Sequence, residues 1–181
     1  FTEENDAFEG CLLIFPDTIL VANTERHAAH SIASFIAHAL NDFREIIYVD
    51  IPQARRYIHP DTIFNRIGRN LGLVYPPAFE RTFLYTDTTV EEIDFGEYMK
   101  SRGVELVTVS DSEQRRLACT FVPLDDNVIF HYDTALDKPT VRELTERGVE
   151  IIFFHPEEML AGGGSLRCHT MRLHRDGNGG C

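Results

Sequence analysis

The sequence lacks several features that would place it in a specialised class. Its 181 residues include no tryptophan and four cysteines, and no two cysteines form a CxxC pair or a zinc spacing. No apolar run approaches the roughly 20 residues that a membrane span needs, and no secretory signal is visible. These absences argue against a disulfide scaffold, a zinc module and a membrane span. They favour the cytoplasm or another reducing compartment, such as an organelle matrix.

Positive charge is also scarce. The chain has 17 Lys and Arg residues against 29 Asp and Glu residues, which gives a formal net charge of −12. This balance argues against nucleic acid or an anionic membrane as the main partner. Hydrophobic residues make up 43% of the sequence, which is enough for a sizeable core. We therefore expect a globular protein, and its acidic balance mildly favours cationic ligands.

Apolar runs recur in the same order three times, at a spacing of roughly 50 residues that is typical of a radial or stacked array. Each repeat reads strand, strand, helix, strand, over residues 11–51, 61–109 and 117–154. The first repeat has strands at 11–15, 18–22 and 45–51 and a helix at 24–43. The second has strands at 61–67, 71–75 and 104–109 and a helix at 90–102. The third has strands at 117–122, 128–132 and 149–154 and a helix at 138–147.

One further strand is predicted at residues 169–174, and no fourth repeat in the chain supplies partners for it. The chain also begins at Phe1 rather than at methionine. We therefore expect an upstream segment, another chain or self-association to complete the fold.

Cys168 is the strongest candidate nucleophile, since it follows three glycines and lies between Arg167 and His169. Neighbouring cations and backbone N–H groups favour the thiolate, which is the reactive form. A buried structural cysteine is the alternative interpretation. The glycine run could also cradle a phosphate, but it lacks the lysine and the spacing of a P-loop.

Two His-x-Asp pairs are candidates for proton transfer and cation binding. His59 and Asp61 precede a predicted strand, and His131 and Asp133 stand at the end of another. Ligand sites often lie at such sheet ends. Turn-forming or capping roles are the alternative, and spacing alone does not separate the two pairs.

Weaker candidates lie near the first repeat. Glu9 precedes the first strand and could orient a histidine, and Arg26 opens the first predicted helix and could clamp a carboxylate. Solvated surface charge is the alternative for both. His27 and His30 have the spacing of metal ligands, but no acidic or thiol ligand accompanies them, so we expect no metal site.

Three segments resemble the motifs of the arginine deiminase and amidinotransferase family, which modifies guanidino groups. Residues 163–173 (GGSLRCHTMRL) resemble its cysteine motif, and residues 50–64 (DIPQARRYIHPDTIF) resemble its histidine motif. Residues 23–26 (NTER) resemble its Ser-Glu-Arg helix start. The order and separation of the motifs agree from about residue 11 to residue 176.

This resemblance implies the pentein fold, an α/β propeller in which five strand-strand-helix-strand units form a fan around a central site. The 181 residues would then be a single pentein-like domain fragment that lacks about two units. The resemblance also implies that Cys168 attacks the guanidinium carbon, that His59 rather than His131 moves protons, and that Asp61 binds the guanidinium. Arg26 and Glu9 would contact substrate, with no metal or organic cofactor.

Two alternatives stay open beside hydrolysis to a ureido product and ammonia. A catalytically degenerate subunit is favoured by three departures from the family pattern. The second guanidinium-binding Asp has no counterpart in this chain, the acidic motif before the first strand is degraded, and residues 162–164 carry glycine where some members carry a carboxylate-binding Arg. An amidinotransferase, in which an amine replaces water, shares the same motifs.

Overall fold

The computed structural model describes residues 10–162 and 164–170. The chain divides into two compact units. The first comprises residues 1–63 and 76–98, and the second comprises residues 64–75 and 99–181. Within the described residues, no helix is both long and apolar enough to cross a membrane.

The first unit is built on a five-stranded sheet in the order β1-β2-β3-β6-β7. Strand β1 pairs antiparallel with β2, and β3 runs parallel to β2 after helix α1. The hairpin of β6 and β7 extends the sheet beyond β3. The elements are β1 (Leu12–Phe15), β2 (Thr18–Asn23), α1 (Ala29–Ala39), β3 (Glu45–Asp50), β6 (Arg81–Tyr85) and β7 (Val90–Glu92).

Helix α1 packs on this sheet because its apolar side chains recur at helical spacing. Ile32, Ile36 and Ala39 form one buried cluster with sheet residues Ile19, Val21 and Ile46. Burying such a face supplies most of a short helix's stability.

The second unit holds two three-stranded sheets, in the orders β4-β5-β8 and β9-β10-β11. In each, the first two strands form an antiparallel hairpin and the third runs parallel to the second. The strands are β4 (Phe64–Arg66), β5 (Leu71–Val74), β8 (Glu105–Thr108), β9 (Val122–Asp125), β10 (Val128–Tyr132) and β11 (Glu150–Phe154). The later helices of the chain are α2 (Phe95–Ser101), α3 (Asp111–Arg115), α4 (Lys138–Glu146) and α5 (Glu157–Ala161).

The α/β class expected from the sequence is confirmed, and each predicted repeat contains a hairpin followed by a helix and a parallel strand. Closure of these repeats into a propeller, and their union in one domain, stay predictions.

Several boundaries differ from the sequence-based expectation. The second predicted helix begins at Phe95 rather than at residue 90, because residues 90–92 pair with β6. The predicted strand at 117–122 was wrong, since helix α3 and a turn with Leu117 at φ 67° precede β9. The strand predicted at 169–174 does not begin at His169, which ends a 3₁₀ turn over Leu166–His169, and residues 171–174 lie outside the described part.

Candidate active site

Cys168 lies on an exposed 3₁₀ turn in the second unit. The turn closes through the Cys168 N–H, which donates to the carbonyl of Ser165 at 3.0 Å. The Ser165 hydroxyl lies 3.3 Å from the Cys168 Sγ. A solvent-accessible thiol beside a hydroxyl that can donate a hydrogen bond to it is suited to nucleophilic attack.

The glycine before this turn has a steric reason. A Cβ at Gly164 would lie 2.8 Å from the Nε2 of His169 and 3.4 Å from the Cβ of Cys168. The second distance is an ordinary contact, whereas the first is too close, so a side chain at position 164 would move the exposed ring of His169. The last glycine of the run thus leaves space for the His169 ring beside the thiol.

Two buried residues hold the turn from beneath. The Leu166 N–H donates to the hydroxyl of Tyr132, which is fully buried at the end of β10. The Arg167 guanidinium donates to the Oδ1 of Asn65 at 3.4 Å. Sequence reasoning missed both Tyr132 and Asn65 as neighbours of the turn. No local pattern could have found them, because 34 and 102 residues separate the bonded pairs.

His59 and Asp61 lie together in the first unit, at a short 3₁₀ turn over Pro60–Thr62 that follows β3. His59 is the extended residue that begins this turn, and Pro60 favours the turn because its φ is fixed. The Thr62 hydroxyl donates to the His59 carbonyl at 2.7 Å, which closes the turn. His59 is half-buried and Asp61 is 8% exposed.

Arg26 does not open a helix, which corrects the sequence-based expectation. It lies in a turn that Thr24 stabilises, because the Arg26 N–H donates to the Thr24 hydroxyl at 3.2 Å. The His27 N–H then donates to the Thr24 carbonyl at 3.1 Å, and helix α1 begins only at Ala29. Arg26 is half-buried, in the same unit as His59 and Asp61.

The rival pair, His131 and Asp133, has a different environment. His131 is fully buried in β10, and neither of its ring nitrogens makes a hydrogen bond of good geometry with any described residue. Burial lowers the pKa of His131 to about 4, and an interaction with the backbone of Ala118 opposes part of the shift. Asp133 instead lies 3.1 Å from the Nδ1 of His155. This His-x-Asp pair is therefore not assembled as a unit.

The remaining candidates add little to the site. Glu9 lies outside the described residues. Among residues 10–162 and 164–170, no group of three or more His, Cys, Asp or Glu side chains could hold a metal ion. Cys11 precedes β1 and is exposed, although surrounding protein still desolvates its thiol and raises its pKa.

The structure thus brings His59, Asp61 and Arg26 into one unit and places Cys168 in the other. His59, Asp61 and Arg26 lie in turns that come after strands, and Cys168 lies in the turn after the glycine run. Their convergence on one substrate stays a prediction.

Comparison with known proteins shows which family shares this sequence. An arginine deiminase of Mycoplasma capricolum is 23% identical over 186 residues, a match that covers 91% of this chain and 46% of the deiminase. The resemblance to the guanidino-modifying arginine deiminase and amidinotransferase family is thereby confirmed. The chain belongs to the family described as N,N dimethylarginine dimethylhydrolase, eukaryotic, which matches it over residues 1–175.

Solved structures share the fold at low sequence identity. The N-terminal domain of ArgZ, an arginine dihydrolase from the ornithine-ammonia cycle in cyanobacteria, superposes with a TM-score of 0.70 at 17% identity. That match covers 96% of this chain and 59% of the other. SxtG, an amidinotransferase from Microseira wollei, gives a TM-score of 0.66 at 15% identity and covers 90% and 46% of the two chains. The chain spans about half the length of the curated relatives it matches.

Proposed function

We propose that this protein is a hydrolase that acts on a guanidino group, with Cys168 as nucleophile and His59 as general acid and base. The observation that carries the proposal is the family match over residues 1–175, which includes all of these residues. The exposed position of Cys168 on a held turn and the pairing of His59 with Asp61 in one turn support it.

The reaction has two halves. The Cys168 thiolate attacks the guanidinium carbon, and His59 donates a proton to the departing nitrogen, which leaves as ammonia or, from a methylated guanidine, as an amine. An amidino-thiol adduct remains on Cys168. His59 then takes a proton from water as the water attacks this carbon, the carbon–sulfur bond breaks, and a ureido product leaves.

Charge directs the substrate in this mechanism. The Asp61 carboxylate would accept hydrogen bonds from the cationic guanidinium, and charge-assisted bonds of this kind are roughly twice as strong as neutral ones. Arg26 would meet an anionic group at the far end of the substrate, and Glu9 would orient His59. The family name makes N,N-dimethylarginine a substrate to test beside arginine and agmatine.

Two further points belong to the same proposal. The repeats would close into a five-unit pentein propeller, completed by another chain, a second copy or a further segment, in a reducing compartment and without a metal or organic cofactor. A catalytically degenerate subunit is favoured by the glycines at 162–164, which replace a carboxylate-binding Arg. Amidino transfer is favoured by the structural likeness to SxtG.

The test is turnover by the full protein, with any flanking sequence that it carries. Ureido product and ammonia or alkylamine are measured with arginine, N,N-dimethylarginine, agmatine and simple guanidines. We expect turnover of at least one guanidine that Cys168→Ser abolishes and that Cys11→Ser leaves largely intact. Cys11 is the matched control because it is an exposed free cysteine, as Cys168 is. Binding of a guanidine without turnover would support the degenerate subunit instead.

A further inference from the structure

The glycine run before Cys168 is held at both ends by one side chain. The Tyr132 hydroxyl accepts a hydrogen bond from the Leu166 N–H and lies 3.9 Å from the Met159 Sδ, to which it can donate. Met159 belongs to helix α5 and precedes the glycines, whereas Leu166 follows them and begins the turn of Cys168. A single buried hydroxyl therefore spans the segment.

This contact matters because glycine-rich backbone has the greatest freedom to lose. Helix α5 ends at the glycine run, and its C-cap residue is Gly162. Leu166 is 2% exposed and starts the 3₁₀ turn, so its position determines where Cys168 stands two residues later. A buried N–H that lost its acceptor would destabilise this start of the turn.

A second contact holds the next residue of the turn, Arg167. The Asn65 side chain is fixed in β4, where its Nδ2 donates to the carbonyls of Cys119 at 3.1 Å and Phe121 at 3.0 Å. Its Oδ1 is thereby left facing the Arg167 guanidinium. Arg167 is the residue directly before Cys168, so two successive residues of the turn are bonded to buried side chains of the sheets.

We propose that Tyr132 is a positioning residue for the nucleophile, with Asn65 as its counterpart through Arg167. This inference rests on the proposed function of Cys168. Neither residue is assigned a contact with substrate. Their role is to hold the Cys168 turn in one conformation, so that the thiol meets the reacting carbon at a fixed place. Tyr132 lies between His131 and Asp133, the second His-x-Asp pair of the sequence. In this proposal the middle residue of that pair supports the nucleophile.

The test compares Tyr132→Phe with Tyr75→Phe in the full protein. Each removes one buried hydroxyl from the second unit, but that of Tyr75 bonds the Asp111 carboxylate at 2.9 Å instead of the turn. We expect Tyr132→Phe to speed amide hydrogen exchange at Leu166 by about 5- to 100-fold. We also expect the rate of Cys168 alkylation by iodoacetamide, measured over a pH series, to differ from that of the wild type by at least about threefold. Tyr75→Phe should leave the exchange rate and the alkylation rate unchanged.

The kinetic constants kcat and KM distinguish a misplaced nucleophile from a general loss of stability. For a guanidine that the protein hydrolyses, Tyr132→Phe should lower kcat about tenfold or more and leave KM within about twofold, because a misplaced nucleophile slows the chemical step. If Tyr132→Phe fails to fold, Arg167→Lys replaces it. That variant keeps the positive charge but removes the guanidinium N–H that reaches Asn65. The same change in Cys168 alkylation is expected, whereas exchange at Leu166 should stay near that of the wild type because its N–H keeps the Tyr132 acceptor.

The outcomes separate this inference from the proposed function. Unchanged exchange and alkylation in Tyr132→Phe would overturn the positioning role even if the protein hydrolyses guanidines. Equal changes in the Tyr132 and Tyr75 variants would also overturn it, since they would report only a loosened unit. A wild-type protein without guanidine turnover would contradict the proposed function, yet the exchange experiment would still decide whether Tyr132 holds the turn.

Discussion

Replacing His131 with leucine should remove much of the acid sensitivity of the folded protein. The imidazole is fully buried, and burial lowers its pKa from an ordinary 6.5 to about 4. Because the unfolded chain takes up this proton more readily than the folded chain, protonation favours unfolding. Above about pH 6.5, His131 is neutral in both states and does not reduce the free energy of unfolding. As the pH drops from 6.5 towards about 4, the unfolded chain binds the proton and the free energy of unfolding falls.

The size of the effect follows from the same two values. A pKa difference of one unit is worth about 1.36 kcal/mol, so lowering the pKa from 6.5 to about 4 implies a loss of roughly 3 kcal/mol across this window. Leucine does not titrate and leaves no ring nitrogen without a partner. We expect His131→Leu to change stability at pH 8 by less than about 1.5 kcal/mol, but to flatten its decline below pH 6.5.

The assay is urea unfolding at half-unit steps from pH 4.5 to pH 8, followed by circular dichroism because the chain has no tryptophan. Ile129→Val is the matched control, since it trims a fully buried side chain in the same strand. It should cost about 1 kcal/mol at every pH without changing the slope. If wild type and His131→Leu lose stability in parallel as pH falls, the burial argument for His131 is refuted.

Further substitutions test other contacts. In an active protein, His59→Ala should lower turnover by roughly 10² to 10⁴, whereas His131→Leu should keep most of it; equal losses in a guanidine assay would overturn the choice of His59. Gly68→Ala should cost about 1–3 kcal/mol in thermal unfolding, because its Cβ would lie 3.0 Å from the Asn127 backbone nitrogen, and a neutral result would contradict the packing described. Burial raises the pKa of Glu113, but hydrogen bonds with Thr140, Ser110 and Asp137 outweigh this effect and hold the pKa below its ordinary value. Glu113→Gln should therefore destabilise the protein near pH 7 and less near pH 4. A loss of stability that is independent of pH would contradict this.

The sequence predicted the sheets best where apolar runs were short and bounded by turn residues. Hairpins such as β1–β2 and β4–β5 follow this pattern, and the strands after the helices, such as β3 and β11, were predicted from short apolar runs. These features depend on neighbours within a few residues. Periodicity therefore sufficed to predict them.

The errors have local physical causes. Asp94 marks the true start of α2, since its carboxylate accepts from the Glu97 N–H at 2.8 Å, and the preceding residues pair with β6. Helix α3 begins with a capping box of Ser110 and Glu113, a helix start that is visible in the sequence. The apolar run at 117–122 that follows it has the composition of a strand, but its first residues form a turn in which Leu117 has a positive φ.

The proposed site combines local and distant residues. The cysteine and histidine motifs predict Cys168, His59 and Asp61 from local sequence, and their catalytic roles stay predictions. The residues that hold the Cys168 turn, Tyr132 and Asn65, come from distant strands and depend on tertiary structure. A sequence pattern indicates neighbours along the chain, whereas these contacts join residues that are 34 and 102 positions apart.

The most direct measurement is to trap the covalent intermediate. The protein is mixed with a guanidine that it hydrolyses, quenched in acid within the first turnover and digested for peptide mass spectrometry. We expect the peptide that contains Cys168 to gain the mass of the substrate less its departing ammonia or amine, and Cys168→Ser to show no adduct. Ureido product formed without any adduct on Cys168, or with the adduct on another cysteine, would contradict Cys168 as the nucleophile.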